Sequence, residues 1–130
     1  MNKISHFSVY KIALKNLTAT AVVDALKELA KELGATIITS MTSEYWNREQ
    51  VLTGLKMKDL PNGIGVRIEN GQLVICGDPY NQHQQFERLK ALIPQYIKIY
   101  GIKQKAKALP KVTTRTRIME REIELVVSYG

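Results

Sequence analysis

The chain has 130 residues, 45% of them apolar and 24% charged, with a formal net charge of +7. That length makes one domain with a core of its own, and the ordinary apolar content with only 8 glycines and 4 prolines excludes collagen-like and disordered chains. No apolar run approaches the roughly 20 residues that span a bilayer. Charges also interrupt residues 1–16, where a signal peptide needs an unbroken apolar stretch. The lone cysteine, Cys76, leaves no internal disulfide and no multi-cysteine zinc site. This fits a reducing compartment and makes the cytoplasm the expected location.

Ile4 to Leu14 is rich in β-branched and aromatic residues, with Ile4, Tyr10, Ile12 and Leu14 on one parity and Phe7, Val9 and Ala13 on the other. Apolar groups on both parities predict a central strand. Thr18 or Thr20 then offers an N-cap, and Val22, Leu26, Leu29 and Leu33 recur at helical spacing, which predicts an amphipathic helix from Ala21 to Leu33 closed by Gly34. Strand composition follows from Ala35 to Ser43, so the chain is expected to open as a βαβ unit.

Glu44 to Pro61 fits no single period and reads as a short helix, an irregular strand or both. The runs GIGVRIE and QLVICG, joined by Asn70-Gly71, predict a β-hairpin with a two-residue turn. Asp78 and Pro79 are then expected as the cap and first residue of a second helix, whose apolar stripe is Phe86, Leu89, Ile93, Tyr96 and Tyr100. Pro94 either kinks this helix or starts another, and Gly101 weakens it again. Beyond Pro110 the β-rich residues read as one long strand or a bulged pair ending at Tyr129. The expected fold is α+β: an antiparallel or mixed sheet of four to six strands with two helices on one face.

This order resembles a small family of unknown function encoded in cyanobacteria and algal plastids as a hypothetical chloroplast reading frame. The resembling pieces are Ser5-His6-Phe7-Ser8, the hairpin GIGVRIENGQLVICGD, the pattern FERLKALIPQYIKIY with Leu89, Leu92 and Tyr96, and the closing EIELVVSYG. None is a catalytic motif, and the resemblance implies a fold rather than an activity. The chain departs from the family at Pro94-Gln95-Tyr96, where relatives carry Gln-Arg-Tyr.

Charge is the most informative functional signal. From Arg88 to Arg121 there are ten lysines and arginines against the single acid Glu120, a local +9 that leaves −2 on the other 96 residues. A surface of that sign attracts phosphates and releases their counterions. Lys98, Lys103, Lys105, Lys107, Lys111, Arg115 and Arg117 are therefore the expected contacts for nucleic acid or an acidic protein, with Tyr96 and Tyr100 placed to stack on bases. The competing reading makes both tyrosines core and the lysines a solvated face. In Thr113 to Arg117 the two arginines share a strand face, either tracking phosphates or guarding an edge. In a hairpin they would pair with Glu120, Glu122 and Glu124.

Other constellations are weaker. Gly63, Gly65 and Gly71 enter and turn a hairpin, so they do not form a phosphate loop. Cys76, Asp78 and His83 are the parts of a nucleophilic or metal site without its spacing, and His6 alternates with strand residues as a packed histidine would. No catalytic residue, metal or cofactor is expected. Tyr45 and Trp46 either anchor the illegible segment or form an interface. The expected function is a non-enzymatic binding protein, and the rival is an assembly protein that self-associates through an edge strand or the Trp46 segment.

Overall fold

The computed structural model describes residues 7–43 and 47–130. The expectations for Ile4, His6, Tyr45 and Trp46 lie outside them. Strand β1 (Ser8–Ala13) leads into helix α1 (Ala19–Leu33), followed by β2 (Thr36–Thr42), β3 (Arg48–Met57), β4 (Leu60–Glu69) and β5 (Gln72–Gly77). Helix α2 (His83–Lys107) and strands β6 (Val112–Ile118) and β7 (Ile123–Tyr129) complete the chain.

Five strands form an antiparallel sheet in the order β1-β5-β4-β3-β2, and β6 and β7 form a separate two-stranded sheet. β1 is thus an edge strand rather than the expected central one. Tyr10 and Ile12 pack on the core, whereas Val9, on the other parity, is 51% exposed. β1 and β2 run parallel, as a βαβ unit requires, but β5, β4 and β3 lie between them. Helix α1 therefore connects the two edges of the sheet, because the later strands insert between the first two.

α1 begins where Thr18 Oγ1 accepts the Ala21 N–H at 3.1 Å and ends at Gly34, whose φ of 69° is the left-handed conformation such an end favours. A side-chain cap of this kind is worth about 1 kcal/mol. Val22, Leu26 and Leu29 of α1 join Phe86, Leu89, Ile93 and Tyr96 of α2 over Leu55, Ile64, Val66, Leu73 and Ile75 of the sheet. Both helices therefore share one face. Each such buried side chain contributes about 1.5–3 kcal/mol.

The segment without a clear period is mostly the long strand β3. Register shifts between Ile38 and Ser40 and between Leu55 and Met57 interrupt its pairing, and Thr53, Gly54 and Leu55 are buried in succession, which removes the alternation. Thr53 is 2% exposed and its hydroxyl has no hydrogen-bond partner among the described residues. Thr53→Val is expected to raise stability by about 1 kcal/mol in urea denaturation, since it removes a dehydrated, unpaired hydroxyl and keeps the shape.

The hairpin forms as its sequence dictates, with Asn70 and Gly71 both at positive φ and Glu69 opposite Gln72. Asp78 and Pro79, however, do not start α2. Asp78 Oδ1 accepts the Tyr80 N–H at 3.1 Å and the Pro79 carbonyl accepts the Gln82 N–H at 2.8 Å, so the pair makes a turn and the helix starts four residues later. Gln82 at the helix cap spends its side chain on the Asn62 N–H and the Tyr80 carbonyl.

α2 runs through Pro94 as one helix of 25 residues, with Ile93 and Tyr96 buried on either side of the proline. The closing segment is a hairpin, not one strand. Its turn is closed by the Met119 N–H donating to the Glu122 carbonyl at 2.8 Å, without the glycine or asparagine that would have announced it. Among the described residues no helix is long and apolar enough to cross a membrane.

Candidate polyanion-binding surface

The basic stretch divides by what each cation touches. Arg88 donates from Nε to the Glu120 carbonyl at 2.9 Å and from a terminal nitrogen to the Met119 carbonyl at 3.5 Å, holding the turn of the β6–β7 hairpin. Lys90 pairs with Glu87 at 2.8 Å and lies 3.8 Å over the Tyr10 ring. Lys103 donates to Glu28 Oε1 at 2.9 Å, sits over the Tyr96 ring, and keeps only 16% of its side chain exposed. Lys103 is thus a tie between α2 and α1 rather than the free phosphate contact expected of it.

Lys98, Lys105, Lys107, Lys111, Arg115 and Arg117 are all exposed, and none makes an ion pair among the described residues. They do not form one stripe. Lys98 and Lys105 lie two helical turns apart on one face of α2, and Lys107 lies about half a turn around the helix from Lys98. Lys111, at φ 60°, opens the hairpin, and its carbonyl accepts the Gly130 N–H at 2.9 Å.

β6 alternates cleanly, with Thr113, Arg115 and Arg117 outward and Val112, Thr114, Thr116 and Ile118 toward the body. In the register Arg117 stands opposite Glu124, and Arg115 stands opposite Val126. Glu120 is at the turn, 3.9 Å from Arg88. Only one of the two arginines therefore faces a glutamate across the strands.

Tyr96 is core, not a stacking platform. Its hydroxyl donates a short hydrogen bond to Glu32, and Glu28 Oε1 lies 3.3 Å away. Burial, then the hydrogen bond and charge of Glu32, push its pKa far above the usual tyrosine range. Thr116 donates to the other Glu32 oxygen at 2.7 Å, so Glu32 joins α1, α2 and β6. Tyr100 is half-buried, and its pKa is raised by burial and by Asp24 and Glu28.

Gln95, which sequence reasoning assigned no role, anchors the same hairpin. Its Nε2 donates to the Arg121 carbonyl at 2.8 Å and to Ala91 at 2.9 Å, and its Oε1 accepts the Ile123 N–H at 3.0 Å. No signal short of the tertiary fold could have found this, because a glutamine on a helix is ordinary.

Cys76, Asp78 and His83 occupy three different settings. Asp78 is buried in its turn, His83 is exposed at the start of α2, and Cys76 is fully buried with its thiol 3.7 Å from the Gly65 carbonyl. Among the described residues no three His, Cys, Asp or Glu side chains gather as metal ligands would. Burial, opposed by Arg67 and helped by Glu49 and Glu69, pushes the Cys76 thiol up to about 11.

The unfolded thiol titrates near 9.0, so the folded state keeps a proton that the unfolded state releases. The stability this represents is complete below about pH 9 and is lost as the pH rises toward about 11. Tyr96 acts in the same sense from about pH 10. The urea midpoint is therefore expected to fall from pH 8.5 to 10.5, roughly the window set by these groups, and to fall less in Cys76→Ala.

No family model, curated protein or solved structure matches the chain.

Proposed function

We propose that the protein is a non-enzymatic nucleic-acid-binding protein that contacts phosphates through the exposed cations from Lys98 to Arg117, and that it belongs to the cyanobacterial and plastid family its hairpin and late helix resemble. The observation that carries this reading is the free charge: six of the seven nominated cations are exposed and without an acidic partner among the described residues. Cations that held the fold together would be paired, as Arg88, Lys90 and Lys103 are.

Arg115 and Arg117 add a spacing. Two residues along a strand rise about 7 Å, close to two steps of about 3.4 Å along a nucleic-acid strand. A set of exposed cations spread over a helix and a hairpin suits a polymer read through its backbone, independent of sequence.

The test is fluorescence anisotropy of labelled single- and double-stranded DNA and RNA titrated with the protein at several salt concentrations. Affinity is expected to fall steeply with salt. Arg115→Gln with Arg117→Gln should reduce the logarithmic salt slope by about 1.5 to 2, whereas Lys103→Gln should leave it nearly unchanged. Absence of binding at low salt overturns the reading. A mass that rises with concentration at physiological salt would instead favour self-association, for which β1, an edge strand with Val9 exposed, offers the pairing surface.

A further inference from the structure

Lys98 and Lys105 do more than add charge to a surface. They line a cleft of about 490 Å³ between the β1–α1 connection and the C-terminal half of α2, and Lys15 of the connection lines it too. Its apolar lining is Leu14 and Leu17 from the connection with Ile97 and Ile102 from the helix. Among the described residues no acidic one lines it, and the first turn of α1, which contributes Ala21 to the lining, contains none either. The positive end of the α1 dipole therefore adds to the three ammonium groups.

The polar concavity at the start of α2 is different. It has a similar volume of about 430 Å³ but sets Asp59 and Glu120 beside Arg88, so its charges offset one another. The described residues that line the cleft at Lys98 carry charge of one sign.

Gly101 supplies a second, independent observation. It lies within α2, has no positive φ, and a Cβ built on it would meet nothing within 4 Å among the described residues. Neither backbone conformation nor packing requires a glycine there, and a helix interior is destabilised by one. Gly101 lines the cleft, so a longer side chain at this position would project into that space.

We propose that this cleft binds a small anionic amphiphile, a molecule with one carboxylate head and a hydrocarbon body. Lys15, Lys98 and Lys105 hold the carboxylate, and Leu14, Leu17, Ile97 and Ile102 cover the hydrocarbon. The volume lies within the range of small-molecule sites, and an apolar wall with a few convergent charges is their usual make-up. A second copy of this chain is a poor occupant, since its net charge of +7 would meet three lysines. The proposal does not depend on nucleic-acid binding.

The experiment is isothermal titration calorimetry of the full chain with decanoate below its micelle concentration, with decanol, acetate and decyltrimethylammonium as separate probes. Decanoate is expected to bind with one site, and the other three to bind at least about tenfold more weakly, since each lacks the head charge, the body or the correct sign. Lys98→Gln with Lys105→Gln should weaken decanoate about tenfold or more. Gly101→Leu should abolish decanoate binding while leaving oligonucleotide affinity unchanged.

Thermal unfolding of each variant verifies that it is folded, and the lysine pair carries the test if Gly101→Leu is not. Equal affinity for decanol and decanoate overturns the proposal. So does the absence of decanoate binding, or binding that survives both the lysine changes and Gly101→Leu.

Discussion

Gly54→Ala is expected to cost about 3 kcal/mol or more and to lower the urea midpoint accordingly, a large part of the roughly 5–15 kcal/mol that stabilises a domain. Gly54 of β3 pairs with Gly65 of β4 in the middle of the sheet. A Cβ on Gly54 would collide with the Ile64 carbonyl oxygen and lie 2.9 Å from the Gly65 Cα. Both are backbone atoms, so relief requires the two strands to part, and Leu55 and Ile64 beside them would leave the core.

Gly101→Ala is the control of opposite sign. It is expected to add about 1 kcal/mol, because it removes backbone freedom from the unfolded chain and meets open space in the folded one. If Gly54→Ala proved neutral, the close approach of β3 and β4 would be wrong.

The double change Arg88→Ala and Gln95→Ala is expected to release the β6–β7 hairpin from α2. These two side chains bond the carbonyls of Met119, Glu120 and Arg121 and the N–H of Ile123, covering the turn and the first residue of β7. Hydrogen bonds of this kind contribute about 1 kcal/mol each, and more where a guanidinium donates, so their combined loss is of order 3 kcal/mol. It acts locally.

Amide hydrogen exchange should accelerate in residues 112–129 while the five-stranded sheet keeps its protection. Because Arg115 and Arg117 stand on this hairpin, the salt slope of oligonucleotide binding should fall with it. Uniform acceleration across the chain would mean that the hairpin is not an independently releasable unit.

What the sequence determined by itself was local. The 3.6-residue stripe of Val22, Leu26, Leu29 and Leu33, a threonine cap at Thr18 or Thr20, the Gly34 end and the Asn70-Gly71 turn each rest on interactions within a few residues, so composition and spacing suffice to read them, and the structure chose Thr18. The +9 of the second half was equally legible, since charge is additive along a chain.

The tertiary structure decided what depends on distant partners. β1 could read as central because apolar residues fell on both parities, but edge or centre is settled by which strands pair, and β5 and β4 inserted beside it. β3 lost its period because register shifts and a run buried on successive residues replace alternation wherever neighbours cover both faces. Asp78-Pro79 carried a helix-start signal that a turn used instead, with Asp78 accepting the Tyr80 N–H and Gln82 bonded to Asn62, twenty residues away.

The same division holds for the cations. Their number was written in the chain, but which are free was not: Lys103 met Glu28 across 75 residues, and Lys98 and Lys105 came to line one cleft with Lys15. Charge is a property of residues, whereas availability is a property of neighbours, and neighbours far apart in sequence are brought together only by the burial of the core between them.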